Sequence, residues 1–290
     1  MRYASTQQIK IQAEEFSSDL NENAAVFRGN VKGVIPRENI ELTTAKLRLV
    51  SGKGKNFEKL IGEGGVQVKQ WDRVVRSDFA IYTQINLDKR VPDTNFTETK
   101  TIITPQQTLQ MQGNVIMKAN QGSVLSKTVL VDILRQHATL EGQDTSKEGR
   151  IKVEANLSEL ETNRKVQNTE IKTQEVETEK QEKPEQKKVL LLASSAVLDN
   201  IKHLAMFEGD VEMERTPDNL YIHAGKITLQ LNELQELQSI RAEQGVCFEQ
   251  PGRVAKAEQA NFDEIRQTIL LEGSAEVQSG QYHLQGNTIN

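Results

Sequence analysis

Apolar and polar residues alternate along most of this chain. In Ala25-Val26-Phe27-Arg28-Gly29-Asn30-Val31-Lys32 the odd positions are small or apolar, while Arg28, Asn30 and Lys32 are polar. The pattern returns later with Phe207, Val211 and Met213 on one face and Glu208, Asp210, Glu212 and Glu214 on the other. Successive strand residues point to opposite faces, so such segments have one dry and one wet face. That is the habit of antiparallel sheets rather than of parallel α/β sheets. The predicted dry face comprises Phe27, Val31, Leu42, Leu47, Leu49, Val66, Val68, Met111, Val115 and Met117 in the first half of the chain. In the second half it comprises Phe207, Val211, Met213, Ile222, Ile227, Leu229, Val246, Phe248 and Leu271. Helix is expected for less than about a tenth of the chain, well under the globular average.

The dry face changes parity between Leu42 and Leu47, and again between Ile222 and Ile227, where Gly225 falls in the gap. A β-bulge is expected there. The recurrent glycines Gly29, Gly65, Gly113, Gly142, Gly209, Gly245 and Gly273 are expected to mark turns and bulges at strand starts. None opens a helix in the manner of a nucleotide-binding loop.

The chain is also duplicated. Residues 25–82 lie over 205–262 without a gap, and 14 of the 58 aligned positions are identical. Farther on, Met111-x-Gly113-Asn114-Val115 matches Leu271-x-Gly273-Ser274-Ala275. Two tandem modules follow, residues 1–142 and 189–290, with an insertion at about 83–102 that reads as a long loop. Between them, residues 143–188 are mostly Glu, Lys, Gln, Thr and Asn and read as a charged flexible linker.

Composition narrows the chemistry. The 290 residues carry a net charge of −5 with both signs interspersed, which excludes the concentrated basic face of a nucleic-acid binder. A single cysteine, Cys247, excludes an intrachain disulfide. His137, His203, His223 and His283 are scattered without metal-ligand spacing, and no Gly-x-Ser-x-Gly is present. No metal, cofactor or catalytic residue is therefore expected. The alternating acids of 208–214 read as a solvated face.

The repeated order of these motifs resembles a known family. Phe207-Glu208-Gly209-Asp210-Val211, Ile222-His223-Ala224-Gly225-Lys226 and Ala255-Lys256-Ala257-Glu258-Gln259-Ala260-Asn261-Phe262 carry the likeness best, with Ile269-Leu270-Leu271-Glu272-Gly273 after them. They resemble the OstA-like family of lipopolysaccharide-transport periplasmic proteins, the LptA/LptC group. The resemblance implies an all-β chain of two open antiparallel β-jellyroll modules whose dry residues line a lipid-binding interior. It implies a non-enzymatic periplasmic carrier that bridges lipopolysaccharide toward the outer membrane. No cationic-then-apolar segment follows Met1 in this chain.

Implied partners are lipopolysaccharide, other β-jellyroll transport proteins stacked edge to edge, an inner-membrane transporter and an outer-membrane translocon. Strands near Ile9, Ile11 and Ile289 are the expected docking edges. Arg73, Arg76, Arg253 and Lys256, paired by the repeat, are candidate contacts for lipid phosphates. Two other readings of the repeated strands stay open. A carbohydrate-active β-solenoid enzyme would show a uniform rung period and clustered acids, and a structural envelope scaffold would use the dry face as plain core.

Overall fold

The computed structural model describes residues 10–19, 21–36, 39–52, 57–71, 73–92, 99–119, 122–142, 149–156, 188–233 and 236–290. Among them there is no α-helix, and the regular structure is antiparallel strand. The chain divides into two compact units. The first takes Met1–Lys118, Ser126–Leu140 and Asp199–Ile201, and the second takes Ala119–Leu125, Glu141–Leu198 and Lys202–Asn290.

In the first unit, β1 (Lys10–Gln12) and β2 (Glu15–Asp19) lie end to end along β3 (Ala24–Ile35). An antiparallel ladder then runs through β4 (Ile40–Ser51), β5 (Phe57–Gln70), β6 (Arg73–Pro92) and β7 (Thr99–Ala119). Two further strands follow, β8 (Gly122–Asp132), which belongs to this unit from Ser126 on, and β9 (His137–Glu141). The break between β1 and β2 falls at Glu14, whose N–H donates to the carbonyls of Arg28 (3.1 Å) and Gly29 (3.2 Å).

In the second unit β10 (Ile151–Asn156) pairs on one side with that unit's own residues 122–125 of β8 and on the other with β11 (Lys188–Ala193). After β12 (Ser195–Asp199), β11 pairs with β13 (Leu204–Thr216). The ladder continues through β14 (Leu220–Leu231), β15 (Leu237–Gln250), β16 (Arg253–Asp263), β17 (Thr268–Ser279) and β18 (Tyr282–Ile289).

The duplication is visible in the backbone. β3 to β6 each begin 180 residues before β13 to β16. Their register shifts coincide as well: Arg28/Val31 with Glu208/Val211, and Thr43/Lys46 with His223/Lys226. Glu63/Val66 likewise matches Glu243/Val246, and Arg76/Phe79 matches Lys256/Gln259. The shift around Gly225 is the bulge that the parity change predicts. The reason for Gly-Asn and Gly-Asp at the first of these sites is conformational. Gly29 and Asn30 have φ of 76° and 44°, and Gly209 and Asp210 have 84° and 50°. Two left-handed residues in succession favour glycine, then the short Asn or Asp. Space matters too, since a Cβ on Gly209 would come within 2.6 Å of Ser194 Oγ.

The structure corrects three expectations. Gly29, Gly65, Gly113, Gly209, Gly245 and Gly273 lie inside strands rather than at their starts. Each bulge adds one residue mid-strand, and that extra residue changes the parity of the dry face. The insertion is not a plain loop: Thr83 to Pro92 on β6 pairs with Thr108 to Thr99 on β7, extending the hairpin through backbone bonds. Residues 151–156, inside the stretch read as linker, form β10, because Ile151, Val153 and Ala155 alternate and Ile151 is fully buried. Ile9, residues 93–98 and residues 157–187 lie outside the described residues.

Candidate functional site

Every residue expected on the dry face is buried or half-buried. In the second unit Phe207, Val211, Met213, Ile222, Ile227, Val246 and Leu271 are at most 3% exposed, with Leu229 and Phe248 half-buried. In the first unit Val31, Leu47, Val66, Met111 and Val115 are at most 2% exposed, while Phe27, Leu42, Leu49, Val68 and Met117 are half-buried. The first unit's cluster of Val31, Leu47 and Leu60 gathers Ile11, Ala13, Phe27, Leu42, Leu49 and Tyr82 around it. Each such side chain contributes roughly 1.5–3 kcal/mol of burial when fully enclosed. Phe16 stands at the surface of β2 and stacks obliquely on Phe27, with ring centroids 5.3 Å apart.

The four candidate cations split by parity. Arg73 and Arg253 continue the dry-face alternation of Ser77 and of Ala255 and Ala257 past its buried residues, at strand starts, and are exposed. Arg76 and Lys256 fall on the wet face. Arg76 Nε donates to Gln67 Oε1 (2.8 Å), and Lys256 lies beside Glu276 across the β16–β17 ladder. The structure does not bring these two to the interior.

Two buried arginines escaped the sequence reading. Arg150, just before β10, has a side chain with no exposed surface. Its Nη1 donates to the Asp210 carbonyl and lies 3.3 Å from Asp210 Oδ2, and its Nη2 lies 2.7 Å from Glu212 Oε1. Its Nε is buried without a hydrogen-bond partner. Asp210 also meets His223 Nε2 at 2.7 Å. Burial, then the charge of Glu212, raises the pKa of neighbouring Tyr221.

Arg215 follows Val211 and Met213 in the dry-face alternation and is 6% exposed. It binds Asp218 through Nη2 (2.6 Å) and Nε, binds Glu264 through Nη1 (2.9 Å), and lies 5.5 Å over the Phe262 ring. Burial alone would lower its pKa; Asp218 and Glu264 outweigh that and hold it above the ordinary arginine value. A sequence signal for it did exist, since a cation stands at a dry-face position where the first copy has Ile35. For Arg150 the signal was the short alternation of residues 151–155.

Among the described residues no group of His, Cys, Asp or Glu is arranged to hold a metal ion. Burial, followed by Glu249, raises the Cys247 thiol pKa, which disfavours the reactive thiolate. What the geometry offers is an apolar core enclosed by antiparallel strands.

A family model described as "LptA/(LptD N-terminal domain) LPS transport protein" matches residues 10–137 and 190–290. The chain belongs to this lipopolysaccharide-transport family, which is not an enzyme family. Among solved structures it is similar to LptH, described as the LptA homologous periplasmic component of the conserved lipopolysaccharide transport device from Pseudomonas aeruginosa. That likeness has 17% identity and a TM-score of 0.37 over 51% of this chain and 94% of LptH. No curated protein matches the chain.

Proposed function

We propose that the chain is a periplasmic carrier that shields lipopolysaccharide acyl chains between the dry faces of its β-modules. The observation that supports this reading is that the nineteen alternating apolar positions are buried or half-buried in two copies of one ladder. An acyl chain of about a dozen carbons gains on the order of 10 kcal/mol on leaving water, at ~0.8 kcal/mol per methylene. The interior already packs closely, so a chain that enters replaces side-chain contacts and the net gain is smaller. Arg73 and Arg253, exposed at the ends of the dry alternation, are suited to meeting lipid phosphates.

Assembly with neighbouring transport modules would use sheet edges. Strand β18 pairs with β17 and exposes Tyr282 and Leu284, and short β1 bears Lys10 and Gln12 outward. The membrane-bound ends of such a bridge would be an inner-membrane transporter and an outer-membrane translocon.

A scaffold with a plain core is the second reading, favoured by the complete burial of Val211 and Ile227. Photo-crosslinking separates the two. Photoreactive residues at Phe27 and Phe207 should capture lipopolysaccharide while those at Arg28 and Glu208 should not. Equal capture from both sets, or none, rejects the carrier. Arg253→Gln should weaken binding most at low salt.

A further inference from the structure

Arg215 puts a charge where the alternation calls for an apolar side chain, and burying a cation is costly unless it is paired. Its partners are of two kinds. Asp218 belongs to the same β13–β14 hairpin, three residues on. Glu264 and Phe262 belong to the far end of β16 and the turn after it. Along the ladder Arg215 faces Leu220, its neighbour Tyr221 faces Glu249, and Glu249 faces Val254. Glu264 lies ten residues beyond Val254 (264 − 254), about 33 Å along a flat strand at ~3.3 Å per residue. A contact of 2.9 Å therefore exists only because the sheet doubles over, and it ties one layer of the second unit to the other.

We propose that Arg215 and Glu264 form a releasable latch across the two layers, which sets how readily an acyl chain enters the second unit. This rests on the carrier reading above. With Val211, Ile222 and Ile227 at most 2% exposed, a chain enters only if the layers part. Parting takes Arg215 from Glu264 and Phe262 but leaves it on Asp218. The guanidinium keeps a carboxylate in both states, so opening breaks cross-layer bonds without stranding a buried charge. The first copy does not repeat these residues: the positions 180 residues earlier are Ile35, Glu38, Tyr82 and Gln84, so an apolar residue stands in place of Arg215 and a neutral one in place of Glu264. Loading is accordingly asymmetric, with the first unit accepting lipid more readily than the second.

The test uses the full chain with a photoreactive residue at Phe27 or Phe207 and purified lipopolysaccharide as the probe. Glu264→Gln removes the cross-layer charge while leaving Arg215 on Asp218. Capture at Phe207 should rise, by roughly tenfold if one charge-assisted hydrogen bond is lost, with capture at Phe27 unchanged. Without lipid, amides of residues 220–222 and 269–271 should exchange faster in the same variant. Arg215→Lys should act in the same direction, because an ammonium cannot fork between two carboxylates or stack on Phe262 in the same way. Unchanged Phe207 capture and unchanged exchange in both variants, with Phe27 still capturing lipid, would overturn the latch alone. Capture at neither position in any chain would overturn the carrier reading, and the loading role of the latch with it.

Discussion

The two copies share strand starts and register shifts, and they diverge most at one corner, the connection after β6 and after β16. In the second copy residues 264–267 make a tight turn. Asp263 Oδ1 accepts from the N–H groups of Ile265 (3.0 Å) and Arg266 (2.9 Å), and Gln267 Nε2 donates to the Glu264 carbonyl (2.5 Å). That fixed turn holds Glu264 against Arg215. In the first copy the same two strands run on, pairing as far as Pro92 with Thr99. One ladder thus supports either a short turn that carries an ion pair to β13 or two strands that pair farther on. Differences in behaviour between such modules are to be sought in their connections more than in their faces.

The largest test of this contrast lies in the core beside that corner. Ile222 is 2% exposed, whereas its counterpart Leu42 is half-buried. Ile222→Ala should cost about 3–4 kcal/mol and Leu42→Ala about 1–2 kcal/mol in denaturant unfolding of the full chain. Equal costs would mean that the two copies close equally well. Next comes Arg150, whose loss removes a 2.7 Å charge-assisted hydrogen bond to Glu212, with a side chain only 14% exposed. Arg150→Ala should cost about 3 kcal/mol and speed amide exchange along β10. In the first copy, Lys46→Ala removes a pair at 2.7 Å whose side chains are 38% and 40% exposed, and should cost less than about 1 kcal/mol.

The smallest expected effect concerns β18. His283 Nε2 lies 2.5 Å from Glu276 Oε1, and this hydrogen bond holds the Glu276 carboxyl below its ordinary pKa. A depressed carboxylate pKa gives a contribution that is present above the ordinary carboxylate range and is lost as pH falls through the depressed value. Amides of β18 should therefore exchange faster than those of β14 once the pH drops below that range, after correction for intrinsic rates. Glu276→Gln should remove the difference; a β18 response that survives this substitution assigns the acid sensitivity elsewhere.

Much of the fold was legible because one physical rule, alternation across a half-dry sheet, governs most of the chain. The dry-face residues, the duplication and the bulge at Gly225 all follow from it. What escaped was what alternation alone does not encode. Strand β10 is too short and too flanked by polar residues to stand out, and it is placed by pairing with β8 and β11 and flanked by Arg150, which meets Asp210 and Glu212 some 60 residues away. Arg215 broke the alternation visibly, but its meaning required Glu264, a partner brought close only by the curling of the sheet. The pairing of residues 83–92 with 99–108 was hidden by their largely polar composition, since backbone pairing makes no demand on side-chain hydropathy.

The matched register shifts also bear on how such a chain can change its length. Neighbouring strands carry their shifts side by side: Glu208/Val211 next to His223/Lys226, then Glu243/Val246, Lys256/Gln259 and Glu272/Ala275. Together they form a crease across the sheet, as on a folded card. One residue added within any strand would move its crease out of line with its neighbours and turn every following side chain to the wrong face. Insertions are then tolerated only where strands reverse. This accounts for a match of 58 positions without a gap between copies of modest identity, with the roughly 20-residue difference confined to the single reversal between β6 and β7.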